Sequence, residues 1–214
     1  MYIIISIILI IGFGLISYLK VFSKYREKHA DFYNYSITVV GVFLGVFIAI
    51  HLNNISEIKA ERNKVEKLLN ASVEELNSII MEAEVVQNHI TDKSKNIKMF
   101  LANNPMPYPR TFPRLLNNEY ILKHIYGSTY RILNTSLRNL EKYYKSISDV
   151  PEIMSFEDDK LYQFLDEYRK ELVCVRAIIS IESKYIGNNT NRKSFDKQID
   201  EILISREDFK LKTK

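Results

Sequence analysis

Histidine, cysteine and paired carboxylates are the side chains with which a small chain does most of its chemistry. This sequence holds few of them in a useful spacing. Its four histidines, His29, His51, His89 and His124, are scattered. The one cysteine, Cys174, cannot build a cysteine-based zinc site and reads as a buried apolar thiol. Glu82, Glu84 and His89 invite a metal reading, but their spacing does not place them on one helical face as i,i+4 pairs would, and they read as solvated helix surface. The phosphate loop ending in GK[ST], the G-x-S-x-G elbow and the H-E-x-x-H helix are all missing. So is the Arg-x(4–6)-His pair of a helical RNase: two residues separate Arg26 from His29, and nine separate Arg114 from His124. These residues predict no catalytic set, no cofactor and no metal.

Two groups offer binding rather than catalysis. His51, Asn53 and Asn54 stand where an apolar run meets polar sequence. They read as an interfacial polar collar, or as a pore-lining or interface ring in an oligomer. The second group lies in residues 101–150, which carry seven Lys/Arg against three Asp/Glu. Arg110, Arg114, Lys123, Arg131 and Arg138 have the chemistry to hold phosphates. Tyr108, Phe112, Tyr120, Tyr126, Tyr130, Tyr143 and Tyr144 have the rings to stack on bases. The alternative is a packed helix pair with half-buried tyrosines and basic tips in water.

The elements that must carry these residues follow from an uneven distribution of charge. Residues 1–52 hold four Lys/Arg and two Asp/Glu out of 30 and 26 in the 214-residue chain. An apolar head therefore precedes a charged body long enough for one core. Six glycines, one cysteine and 46% hydrophobic residues exclude collagen, a disulfide scaffold and wholesale disorder. A net charge of +4 is too small to imply a nucleic-acid partner by itself.

Within the head, YIIISIILIIGFGLISYL (2–19) and SITVVGVFLGVFIAIHL (36–52) carry no charge. Each is near the length of a membrane span, and together they predict a transmembrane helical hairpin over 1–52. A signal peptide is the rival for the first run, but the run has no basic n-region and no small-x-small cleavage site. Gly41, Gly45 and Ala49 recur every fourth residue and stack on one helical face. That stripe suits packing either between copies or against Gly12 and Gly14 of the first run. Four Lys/Arg follow each run closely, so the positive-inside rule ties; the body is expected in the cytosol because nothing in it requires export.

Past His51 the apolar residues become periodic. Ile55, Ile58, Arg62, Val65, Leu69, Ser72, Leu76, Ile79, Ala83, Val86 and Ile90 alternate in steps of three and four, and nine of these eleven are apolar. Leu68, Val73, Ile80 and Val85 widen the stripe. The pattern predicts a long coiled-coil-like stalk helix within 53–104, ending near Phe100 and packed in a bundle. Pro105, Pro107, Pro109 and Pro113 predict a stiff non-helical turn. Residues 105–214 then predict a helical bundle on the stalk. Its expected elements are an amphipathic helix over 115–126 broken at Gly127-Ser128, a helix capped by Ser136 and a long helix from Phe156 to Ile186. A Ser155/Asp158 capping box would open that long helix, a left-handed cap at Gly187-Asn188-Asn189 would close it, and a last helix would begin at Ser194. The fold expected is all-α.

Two stretches carry a resemblance. GVFLGVFIAIHLNNISEIKAERNKVEKLLNASVEELN and IYGSTYRILNTSLRNLEKYYKSI resemble small bacterial two-span membrane proteins of unknown function. In those, an apolar run ends in Asn-Asn before a charged helix; their usual Asn-Asn-Trp is Asn53-Asn54-Ile55 here. The resemblance implies a membrane-anchored helical body. The layout is also similar to membrane accessory proteins of CRISPR and other antiviral systems, which are small, helical and anchored. What this implies is a non-enzymatic homo-oligomer in the inner membrane that forms a pore or perturbs the bilayer, answering a cytosolic protein or a nucleotide or RNA signal. The alternative is a membrane-tethered sensor or scaffold that binds a nucleotide, RNA or protein through the basic tyrosine-rich segment.

Overall fold

The computed structural model describes residues 27–91, 97–149, 158–188 and 192–212. Those residues are predominantly helical, with no strand among them. The helices are α1 (Ala30–Thr91), α2 (Ile97–Asn103), α3 (Thr111–Leu116), α4 (Glu119–His124), α5 (Gly127–Ser148), α6 (Asp158–Asn188) and α7 (Arg192–Lys212). The first apolar run, the connector up to residue 26, Ser155, Phe156 and Asn189 lie outside the described residues. The chain divides into two compact units, Met1–Glu57 and Ile58–Lys214, and α1 runs through the boundary.

In the first unit, α1 is apolar around its whole circumference. Val42, Phe43, Val46, Phe47, Ile48 and Ile50 are all exposed. A helix apolar on every side has no core-facing stripe, so its sequence sets it apart from the amphipathic helices that follow. The hydroxyls of Ser36 and Thr38 donate to the carbonyls of Phe32 and Asn34, each at 2.8 Å.

The second unit is organised by one spacing. On α1, Val65, Leu69, Ser72, Leu76, Ile79, Ala83 and Val86 are buried, in steps of four and three. On α6, Leu161, Leu165, Tyr168, Leu172, Val175, Ile179, Glu182 and Ile186 are buried in the same steps. On α5 the buried series is Thr129, Leu133, Ser136, Leu140 and Ile147, with Tyr143 packed against the core between the last two. Residues three and four apart share a helical face, so each series is one continuous stripe. The polar pairs beside the stripes fix the register. Asn70 accepts from Ser183 at 2.7 Å, Asn77 from Arg176 at 3.1 Å and Glu84 from Arg169 at 3.2 Å. Each advance of seven along α1 meets a retreat of seven along α6, so the two helices run antiparallel. Tyr126–Glu182, Asn139–Glu171 and Tyr143–Phe164 set α5 antiparallel to α6 in the same way.

The structure departs from the sequence expectations at several helix ends. The described part of the long helix stops at Thr91, and the next helix begins at Ile97. The rings of His89 and Phe100 stack with centroids 3.7 Å apart. A straight helix would separate residues 89 and 100 by roughly 16 Å, so α1 does not continue to Phe100. Pro113 lies inside α3, at a first-turn position that has no intrahelical N–H bond to lose. Gly127 opens α5 rather than breaking a helix, Ser136 is buried in the middle of α5, and Gly187 lies within α6. Ile55 and Ile58, at the start of the predicted seam, are 49% and 50% exposed, and Leu68 and Val85 also face out.

Candidate functional site

Three groups of residues warrant building up from their positions. The first is the apolar length of α1. It is the one helix among the described residues long and apolar enough to cross a membrane, and no part of that stretch is buried within the chain. Gly41, Gly45 and Ala49 lie on it and are exposed; among the described residues nothing comes within 4 Å of a Cβ built on either glycine. His51 is half-buried, and Asn53 and Asn54 are exposed where the helix turns polar.

The second is the basic, tyrosine-rich segment. The structure spreads its cations over several elements: Arg110 before α3, Arg114 on α3, Lys123 on α4, and Arg131 and Arg138 two turns apart on α5. All five are exposed. Lys123 is paired to Glu61 Oε2 at 2.7 Å, and His124 Nε2 lies 3.5 Å from the same oxygen. Lys123 holds the Glu61 carboxyl below its usual range, chiefly through that hydrogen bond.

The rings of this segment turn inward. Phe112 is fully buried, and Tyr120, Tyr126, Tyr130, Tyr143 and Tyr144 pack against the core. Tyr108 leans on Tyr144 with centroids 4.9 Å apart and donates to Glu141 at 3.5 Å. Burial, reinforced by Glu141, pushes the Tyr108 hydroxyl up to about 12. Tyr168 donates its hydroxyl to Pro107 O at 2.7 Å, and burial keeps it protonated. The proline segment is therefore tied down from α6. Glu75 adds a second tie by accepting the Thr111 N–H at the start of α3 at 3.2 Å.

The third group was not singled out in the sequence. Glu182 occupies a place in the α6 stripe that hydrophobic residues otherwise dominate, and it is fully buried. Its Oε1 accepts the N–H of Tyr126, the N-cap residue of α5, at 3.0 Å. Oε2 finds no hydrogen-bond partner, and neither does Thr129 Oγ1. Desolvation pushes the carboxyl up to about 7, against a smaller downward pull from the Thr129 hydroxyl. That hydroxyl lies close enough to favour the charged form but makes no well-formed bond. The signal was in the spacing: extending the Leu161-Leu165-Tyr168-Leu172-Val175-Ile179 series by three lands on Glu182.

The remaining metal candidates are apart. Glu84 pairs with Arg169, His89 stacks on Phe100, and Glu82 lines an open cleft with Met81, Val85, Phe100 and Pro105. Among the described residues no group of three or more His, Cys, Asp or Glu side chains converges. Cys174 is buried and is not part of a disulfide. No family model matches the chain, and neither the curated proteins nor the solved structures contain a significant match.

Proposed function

We propose that the chain is a non-enzymatic, oligomeric protein anchored in the bacterial inner membrane through α1, with its helical body in the cytosol. In its most concrete form it is an antiviral-defence effector or accessory that opens a pore in the bilayer or perturbs it. The observation that carries the reading is the apolar length of α1, none of which is buried in the chain. An exposed apolar surface that encircles a helix far exceeds the patches soluble monomers tolerate. In hydrocarbon it has no such penalty, and a helix satisfies its own backbone there. Ser36 and Thr38 close their hydroxyls on the helix's own carbonyls, so they bring no unpaired donor into lipid. Phe32 and Tyr35 at one end, and His51, Asn53 and Asn54 at the other, suit the two interfaces.

Self-association rests on the small-residue face of Gly41, Gly45 and Ala49, which lets backbones approach. The defence role rests on the similarity of layout described above. The test is cross-linking of the full chain in mild detergent, followed by dye release from liposomes. Discrete oligomers and release support the proposal. A strictly monomeric protein that leaves liposomes sealed contradicts it.

A second reading, a membrane-tethered sensor or scaffold, draws on exposed Arg110, Arg114, Arg131 and Arg138. With the rings packed inward, such a surface would grip phosphates without stacking on bases. Substituting the four arginines together should then abolish RNA or nucleotide binding at low salt and leave oligomers intact.

A further inference from the structure

Glu182 joins three elements at one corner of the second unit. It belongs to α6, it holds the N-terminal N–H of α5 through Tyr126, and Tyr126 in turn meets α7. The Tyr126 ring stands edge-on to Phe195 of α7 with centroids 6.3 Å apart, and Phe195 leans on Tyr185 of α6 at 4.8 Å. Among the α7 residues whose side chains are described, Phe195 and Ile199 are buried, and Ile202 and Leu203 are half-buried against the core. α7 meets this corner through Phe195, the contact through which local opening would release it.

The corner suits an uncharged acid better than a carboxylate. A buried carboxylate needs a cation or several donors. Glu182 has one backbone N–H, and its second oxygen has no partner. Ionisable groups on the surrounding elements include Glu61 and Glu66 of α1, Lys123 and His124 of α4, Tyr126 before α5, Tyr130 and Arg131 of α5, Lys184 and Tyr185 of α6, and Lys193 and Asp196 of α7. Glu61 is taken by Lys123 and His124, and the Glu66 carboxylate lies against Gly187. None of these charges contributes to the state of Glu182; burial and Thr129 do. The positive N-terminal end of α5 favours ionisation, but a single N–H does not outweigh complete desolvation.

We propose that Glu182 is a proton-operated latch: uncharged, it keeps the Tyr126–Phe195–Tyr185 corner dry and α7 docked, and on losing its proton to solvent it draws water in and releases α7. The latch is a property of the second unit and does not depend on the membrane reading.

The experiment is amide hydrogen exchange on the full-length protein in mild detergent, from about pH 6 to about pH 8, corrected for intrinsic exchange. Protection of α7 amides over 193–204 should fall with pH by up to about tenfold per unit, the limit for one proton, while the middle of α6 holds. Glu182→Gln keeps the shape and the acceptor for Tyr126 N–H, and its α7 protection should not vary with pH. Three results overturn the latch: wild-type protection that is flat with pH, a pH-dependent fall shared equally by α5, α6 and α7, or an unchanged fall in the Gln variant. The first two need no variant.

Discussion

Shortening Leu76 and Ile58 in parallel separates the part of the stripe that the chain buries from the part it leaves half exposed. Both residues occupy the same three-four series on α1. Leu76 is 0% exposed in the core, whereas Ile58 is 50% exposed. Leu76→Ala removes three carbons from a site walled by α1 and its neighbours. A fully buried leucine truncated in this way loses about 3–5 kcal/mol, from transfer and cavity terms together. Ile58→Ala removes atoms already half in solvent and should stay within about 1 kcal/mol. The assay is urea unfolding of the full chain in mild detergent. Its readout is helix circular dichroism and tyrosine fluorescence, which the absence of tryptophan leaves unmasked. Repeating it over a hundredfold range of protein concentration adds the oligomer test, because an Ile58 buried between copies would make its penalty grow with concentration. A Leu76→Ala variant as stable as wild type would refute the register argued from the Asn70–Ser183, Asn77–Arg176 and Glu84–Arg169 pairs.

Other outcomes follow from single contacts. Tyr168→Phe deletes the bond to the half-buried Pro107 O, which should lower stability by about 0.5–1.5 kcal/mol; proteolysis within 104–110 should accelerate as the proline segment loosens. Glu182 should make stability depend on pH in an unusual direction. Its folded pKa of about 7 lies above the ordinary 4.5, so its contribution is complete below about pH 4.5 and is lost as pH rises through about 7. The shift corresponds to roughly 3 kcal/mol at most, and urea midpoints from pH 5 to 8 should fall in wild type but not in Glu182→Gln. Gly187→Ala places a methyl where the Glu66 carboxylate now lies. Because that carboxylate ends a flexible side chain, the variant should unfold within about 1 kcal/mol of wild type, with alanine's better helix propensity offsetting the shift.

Burial periodicity was the most legible part of the fold. The run from Val65 to Val86 and the core positions of α6 and α7 appear in the sequence as apolar residues three and four apart, and the structure buries them. Helix ends were harder to read, because the same residue types start, stop and populate helices. Gly127 resembles a breaker but begins α5, Ser136 resembles a cap but sits in a stripe, and Pro113 fits the first turn of α3. The inward turn of the tyrosines was open in the sequence, since core spacing and ring chemistry coincide at Tyr120, Tyr130 and Tyr144. Glu182 is hard to see in the sequence because a stripe defined by apolar residues skips a carboxylate at one of its positions. The loss of the seam at Ile55 and Ile58 has no signature in the sequence, where both look like core residues.

The central claim is that lipid surrounds the apolar stretch of α1 over 36–52. Its most direct test is to lyse cells expressing the full chain, wash the membranes at alkaline pH and sediment them without surfactant. An anchored protein stays in the pellet and is released only by detergent. Wild-type protein remaining in the supernatant would contradict the claim.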